Sequence, residues 1–178
     1  MISSFSEKGL IPETNGKFLS LGDYKGSLAN MGYSSMIPLM DADHFVISAD
    51  LEWFSANMTP NSVTNGCGFF FGAANGTYDH LMVSLRGDGN LYFTGYRNYT
   101  VLSYGKYSIA LPSRTGSGEL CLIVDGKSAT VYLNGEQFLQ QSGLSVAGNI
   151  FGLAVLSGTY QDYGTRCLFS NIHVYTWE

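Results

Sequence analysis

Two carboxylates come closest to a recognisable chemistry in this sequence. Asp50 and Glu52 alternate within FVISADLEWF, residues 45–54. Side chains two apart on a strand share a face and lie about 7 Å apart, near the separation that glycosidase carboxylate pairs use. Such a pair also needs an apolar pocket that raises the pKa of the acid, and nothing in the surrounding sequence indicates one. We therefore expect these residues to form the wet face of an amphipathic strand, and glycoside hydrolysis stays as an alternative.

Tyrosine gives the clearest candidate for binding. Residues 94–107 read TGYRNYTVLSYGKY, and we expect them to form long loops. Rigid aromatic planes beside amide and guanidinium donors suit a sugar face or a protein partner. Tyrosines that cap a sheet edge with their hydroxyls in water explain this segment equally well, and they are favoured for a second group at 159–163. The candidate ligand-binding residues are Tyr96, Arg97, Asn98, Tyr99, Tyr104, Tyr160 and Tyr163.

Calcium is the one cofactor that the sequence leaves open. The ion needs six or more oxygen ligands, and Asp41 and Asp43 are the best candidates. Single aspartates in a turn are the favoured explanation of both. The sequence has no G-x-S-x-G nucleophile motif, and no pattern joins its histidines into a catalytic set. We expect no catalytic residue and therefore no enzyme.

Composition limits the classes of function. Charged residues make up 13% of the 178 residues, against a typical value of about 25%, and the net charge is −5. Without a cluster of Lys and Arg, we expect no nucleic-acid binding. No apolar run is long enough to span a bilayer, so we expect no membrane insertion. The segment MISSFSEKGL does not resemble a signal peptide, because it contains an acidic residue and no apolar stretch.

The three cysteines fit no zinc pattern, because no C-x-x-C pair is present. One disulfide with one free thiol, or three buried thiols, would both be compatible with the sequence. Cys67 and Cys167 each begin a strand next to a Gly-rich turn, which favours a bridge between them. Cys121 lies between two leucines in mid-strand and is expected to have a structural, space-filling role.

Short apolar strands alternate with Asp-Gly and Asn-Gly turns along most of the chain. Such turns between alternating runs are typical of β-hairpins, at Asp125-Gly126 and Asn134-Gly135 among others. Arg86-Gly87-Asp88 spells an adhesion tripeptide, although a tight hairpin needs these residues for backbone reasons. A bulge is expected near Asn171, where the alternation slips. The pattern predicts one all-β domain over 1–178, with a less patterned segment at 1–40 and a sandwich core at 41–178.

The pattern from about residue 45 to 177 resembles the concanavalin A-like lectin/glucanase superfamily, and more narrowly laminin-G-like and family 16-related jelly-roll domains of bacterial surface or secreted proteins. The segments that carry the likeness are FVISADL at 45–51, GCGFFF at 66–71, DHLMVSLRGDGNL at 79–91, LIVDGKSATVYLNG at 122–135, GNIFGLAVLSG at 148–158 and CLFSNIHVY at 167–175. The E-x-D-x-x-E strand of the family 16 glucanases is absent.

The resemblance implies a two-sheet antiparallel jelly-roll β-sandwich in an extracellular or cell-surface protein. Together with the tyrosines, it predicts a non-catalytic module that binds a glycan or another protein, with carbohydrate as the leading ligand class. A structural subunit of a surface assembly, docked through residues 1–39, is a second alternative and would imply self-assembly.

Overall fold

The computed structural model describes residues 9, 11–12, 16–57 and 64–178. The regular structure in these ranges is all β. The strands are β1 Lys17–Leu21, β2 Tyr24–Leu28, β3 Tyr33–Asp41, β4 His44–Ser55, β5 Gly66–Ala73, β6 His80–Arg86, β7 Asn90–Arg97, β8 Thr100–Ser108, β9 Thr115–Asp125, β10 Ser128–Leu133, β11 Glu136–Gln141, β12 Ile150–Ser157 and β13 Thr165–Thr176. No helix in the described ranges has the length and apolar character needed to cross a bilayer.

The strands form two antiparallel sheets, which confirms the predicted two-layer β-sandwich. Sheet A has the order β1-β13-β4-β9-β10-β11, and β2 also pairs with β13. Sheet B has the order β3-β12-β5-β6-β7-β8. Every ladder between neighbouring strands is antiparallel.

The core lies between the sheets and follows the alternation of the sequence. On β4, Phe45, Ile47 and Leu51 point inward and are buried, as the period of two predicts. Phe45 stacks on Phe151 of the opposite sheet with ring centroids 3.9 Å apart, which locks the layers in register.

The N-terminal region belongs to the same sandwich. The predicted strands at 17–21 and 35–39 are present as β1 and within β3. β2, which the sequence did not predict, pairs with β13, and β3 pairs with β12. Residues 17–21, 24–28 and 33–39, which the assembly hypothesis assigned to docking on a neighbouring molecule, are therefore paired within this chain. The predicted bulge is also present, because Asn171 has a φ of 50° and the β13–β4 register shifts there.

A disulfide joins the two sheets. Cys67 of β5 is bonded to Cys167 of β13 across the core, with a sequence separation of 100. Cys121 is a free thiol on the outer side of sheet A, buried with Val46, Ile123 and Tyr132. Burial raises the pKa of the Cys121 thiol far above its usual value, so it stays protonated.

Candidate functional site

The first tyrosine group lies on a β-hairpin and not on a long loop. Arg97 pairs with Thr100, so the connection between β7 and β8 is only Asn98 and Tyr99. Their φ values of 47° and 63° define a two-residue turn of the I′ kind. The expected loop is wrong because the segment lacks the Asn-Gly dipeptide that usually marks this turn. Asn tolerates the left-handed region, whereas the Cβ of Tyr99 is strained there.

Tyr99 at this turn is one half of an exposed aromatic pair. Its side chain is 81% exposed, and Tyr78, in the connection before β6, is 68% exposed. The ring centroids lie 6.5 Å apart with the planes tilted by 46°. Sequence reasoning missed Tyr78, because an isolated tyrosine between strands carries no pattern. The pairing of His80 with Tyr96 is what brings it beside the turn.

Hydrogen bonds fix the base of this pair. The Asn98 amide donates to Asp79 Oδ1 at 2.9 Å, which ties the turn to the start of β6. His80 Nδ1 donates to the Tyr78 carbonyl at 2.7 Å, and the His80 ring stacks on Tyr96 at 5.8 Å. Burial lowers the pKa of His80 below its usual value, so the ring is neutral at pH 7. Its Nε2 is then a hydrogen-bond acceptor, because Nδ1 carries the proton.

A small pocket opens beneath the hairpin. Tyr96, Arg97 and Tyr104 line it together with residues 145–147. Its volume is about 40 Å³, room for about three water molecules at 10–15 Å³ each, so a sugar ring does not fit inside. Arg97 Nη1 donates to Ser145 Oγ across the opening at 2.5 Å. Any larger ligand would therefore lie over the rim, against the exposed rings.

The second tyrosine group lies at the other end of the sandwich. β12 begins opposite Ala73, near the β7–β8 turn, and runs eight residues to Ser157. Tyr160 and Tyr163 follow that strand, so they are about 25 Å from the first group at about 3.3 Å per residue. The structure brings Tyr96, Arg97, Asn98 and Tyr99 together, with Tyr104 below them, and leaves Tyr160 and Tyr163 apart.

The two candidate calcium ligands lie at the turn between β3 and β4. Asp41 ends β3 opposite Ile150, and Asp43 lies in the following turn, where its carbonyl accepts the Gly126 amide at 3.0 Å. Among the described residues, no group of three or more His, Cys, Asp or Glu side chains is arranged to hold a metal ion. Calcium binding by these aspartates therefore stays a prediction.

Asp50 and Glu52 share the outer face of β4, as the alternation predicts. Asp50 Oδ2 accepts a hydrogen bond from Asn171 Nδ2 at 2.6 Å. Glu52 is exposed and lies at the edge of an open trough with Phe54 and Arg166. The pair stands on an open sheet face, away from the apolar enclosure that a glycosidase acid needs.

The Arg86-Gly87-Asp88 tripeptide is held against sheet B. Arg86 Nε donates to Ser84 Oγ at 2.9 Å, and the guanidinium lies 4.2 Å from the centre of the Tyr92 ring. Asp88 Oδ2 accepts the Tyr92 hydroxyl at 2.6 Å. Both charged side chains are engaged in the fold, which favours the structural interpretation of this sequence over an adhesive one.

Comparison with known proteins finds similar folds at low identity. The carbohydrate binding module CBM66 from Bacillus subtilis is 13% identical, with 89% of this chain and 90% of that chain covered and a TM-score of 0.56. A fructosyltransferase from A. japonicus is 16% identical with a TM-score of 0.57, and the match covers 91% of this chain but 26% of that one. A Bacillus licheniformis β-glucanase is 12% identical, with 82% and 70% covered and a TM-score of 0.51. No protein-family model and no curated protein matches the sequence.

Proposed function

Because the chain has the concanavalin A-like jelly-roll sandwich fold, a scaffold that hosts both lectins and glycosidases, we propose that its function is set by the aromatic rim at the β7–β8 turn. The proposed role is a non-catalytic carbohydrate-binding module. The rim consists of Tyr78, Tyr96, Arg97, Asn98 and Tyr99. Fold alone does not assign an activity, so the proposal rests on the geometry of this site.

The exposed Tyr78–Tyr99 pair is the observation that carries the proposal. Two large aromatic faces lie open to solvent, 68% and 81% exposed. Tyr99 is also held in a backbone conformation that costs an L-residue about 1–2 kcal/mol. Strain of this kind, kept at an exposed position where it adds nothing to the core, is typical of functional sites. A sugar ring could stack on the tilted pair through its apolar C–H face.

The polar groups around the rings could orient a bound sugar through hydrogen bonds. Arg97 has guanidinium N–H groups beyond the one bonded to Ser145, and His80 Nε2 is an acceptor. Asp79 uses Oδ1 for the Asn98 amide, which leaves Oδ2 for a ligand hydroxyl. Donors and acceptors are thus carried by the same two strands and turn as the aromatic pair, and polar groups near an aromatic surface are the combination that recognises the hydroxyls of a sugar.

An enzymatic role is less well supported by the geometry. Asp50 and Glu52 lie on the outer face of sheet A, and the pocket at the tyrosine rim is too small to enclose a substrate. The proposal of a binding module predicts no turnover of β-glucans or fructans by the intact protein. Measurable hydrolysis that is lost in both Asp50→Asn and Glu52→Gln would replace it with the hydrolase alternative.

We further propose that the protein works outside the cell or on its surface. The Cys67–Cys167 disulfide supports this, because such bonds persist in oxidising compartments.

A glycan array with and without calcium tests the binding proposal. We expect binding to one class of neutral glycan, and a loss of at least about tenfold in affinity for Tyr99→Ala, the size of a binding hot spot. Tyr160→Ala is the matched control, because that tyrosine is similarly exposed at the opposite end. Equal loss in both variants would rule out the tyrosine rim as the binding site. A blank array under both conditions would favour a protein partner.

A further inference from the structure

We propose a second binding site, for a sugar that carries a carboxylate, on the outer face of sheet A. The site is a trough across β2, β13 and β4, which we call the charged trough. Its lining side chains are Lys25, Ser27, Glu52, Phe54, Arg166 and Leu168. It is on the opposite sheet from the tyrosine rim and does not depend on the function proposed there.

Strand register builds the trough from two rows. Arg166 stands between Ser27 and Phe54, and in the next row Leu168 stands between Lys25 and Glu52. Neighbouring strands are about 4.8 Å apart, so Lys25 and Glu52 are separated by about 10 Å across Leu168. The trough has a volume of about 470 Å³, within the range of about 300–1,000 Å³ typical of small-ligand sites.

The charges in the trough lack partners of opposite sign. The salt bridges among the described residues join His44 to Asp125 and Lys106 to Asp88, and neither involves the trough. Arg166 and Glu52 are diagonal neighbours, at a distance that long side chains bridge. The Arg166 guanidinium instead lies over the Tyr163 ring, 4.4 Å from its centre. The ring fixes the guanidinium plane and leaves its N–H edges for a ligand.

These features select the chemistry of the ligand. A carboxylate would take two parallel hydrogen bonds from Arg166 and the charge of Lys25. Glu52 would accept hydrogen bonds from hydroxyl groups, and Ser27 would donate or accept them. Phe54, 38% exposed, and Leu168 offer an apolar floor for a ring. A uronic acid carries all three kinds of group on one ring. A poly-aspartate peptide carries carboxylates but no ring with hydroxyl groups, so it would give Glu52 and Ser27 no hydroxyl partner.

Calorimetric titration of the intact protein with trigalacturonic acid tests the assignment. Its methyl-esterified form is the control that keeps the sugar rings without the negative charges. A tri-aspartate peptide is the control that keeps the negative charges without the sugar rings. We expect the acid to bind at least about tenfold more tightly than the ester, with affinity falling as salt rises. Equal binding of acid and ester, tighter binding of the peptide, or no binding of the acid would overturn the proposal.

Variants of the trough locate the site. Arg166→Gln and Lys25→Gln should each weaken binding of the acid by at least about tenfold, because each removes one or more charge-assisted hydrogen bonds. Lys127→Gln removes the same charge in the exposed turn between β9 and β10 and should leave the affinity unchanged. Glu52→Gln should weaken binding if its carboxylate accepts a hydroxyl, whereas a gain in affinity would contradict that contact. A thermal melt of each variant separates these effects from unfolding.

Discussion

Tyr99 can be replaced in two ways that separate backbone strain from binding. Tyr99→Ala and Tyr99→Gly both remove the exposed ring and its contact with Tyr78. Only the alanine keeps a Cβ at a φ of 63°. The left-handed region costs an L-residue about 1–2 kcal/mol. Glycine loses about 0.4–1 kcal/mol more than alanine through the entropy of its unfolded chain. The glycine variant should therefore be the more stable of the two by about 0.5–1 kcal/mol.

Thermal unfolding measures that difference, and binding provides the second readout. For a chain of this size about 1 kcal/mol corresponds to about 2–4 °C, so the glycine variant should melt about 1–4 °C above the alanine variant. Tyr99→Gly would also complete, after Asn98, the Asn-Gly dipeptide that a I′ turn prefers. Both variants should lose glycan binding equally. An alanine variant as stable as the glycine variant would refute the I′ geometry. Retained binding in both would refute the role of the ring.

Three further predictions concern the scaffold. Replacing both Cys67 and Cys167 by alanine should lower the free energy of unfolding in urea by about 3–5 kcal/mol, because the bond closes a long loop, and a loss below about 1 kcal/mol would contradict this. Lowering the pH from 7.5 to about 5 should reduce stability through His80, whose folded pKa lies below its unfolded value of about 6.5, so that the unfolded state takes up the proton first. The contribution of neutral His80 to the free energy of unfolding is fully present above about pH 6.5. The stability of His80→Gln should therefore depend less steeply on pH, and an unchanged dependence would show that His80 is not the cause. Gly116→Ala should cost about 1–3 kcal/mol, because its Cβ would lie 1.9 Å from the buried Trp53 ring, whereas Gly22→Ala meets no atom within 4 Å and serves as the control.

Sequence pattern predicted the strands that are largely buried. β4 and β12 have strong apolar alternation or a continuous apolar run, and both were identified. β2 reads YKGSL and β8 reads TVLSYGKYS, and neither shows that pattern. They are strands because each pairs with a well-formed neighbour, β13 and β7 respectively. Tertiary pairing decides such edge strands, and local composition does not reveal it.

Only part of the candidate site was predicted, because the rest of it is also brought together by strand pairing. Tyr96, Arg97, Asn98 and Tyr99 are contiguous, so their composition alone marked them. Tyr78 joins them only through the antiparallel register of β6 with β7. The charged trough depends on register still more strongly, because Lys25, Glu52 and Arg166 come from strands far apart in sequence.

The opposed placement of the two proposed sites gives a test that neither site provides alone. Tyr99 is at the end of sheet B, and Arg166 is on the outer face of sheet A, with the core between them. Substitutions that share no partners and lie well apart are additive in free energy. In the variant Tyr99→Ala/Arg166→Gln, affinity for a neutral glycan should fall only by the Tyr99→Ala factor. Affinity for the galacturonic acid trimer should fall only by the Arg166→Gln factor. If either substitution weakened binding of the other ligand, there would be two explanations: the two surfaces are parts of one site, or the variant is misfolded. The melting curve distinguishes these two explanations. An unchanged melting curve with cross-effects would mean that the present division into two sites is wrong.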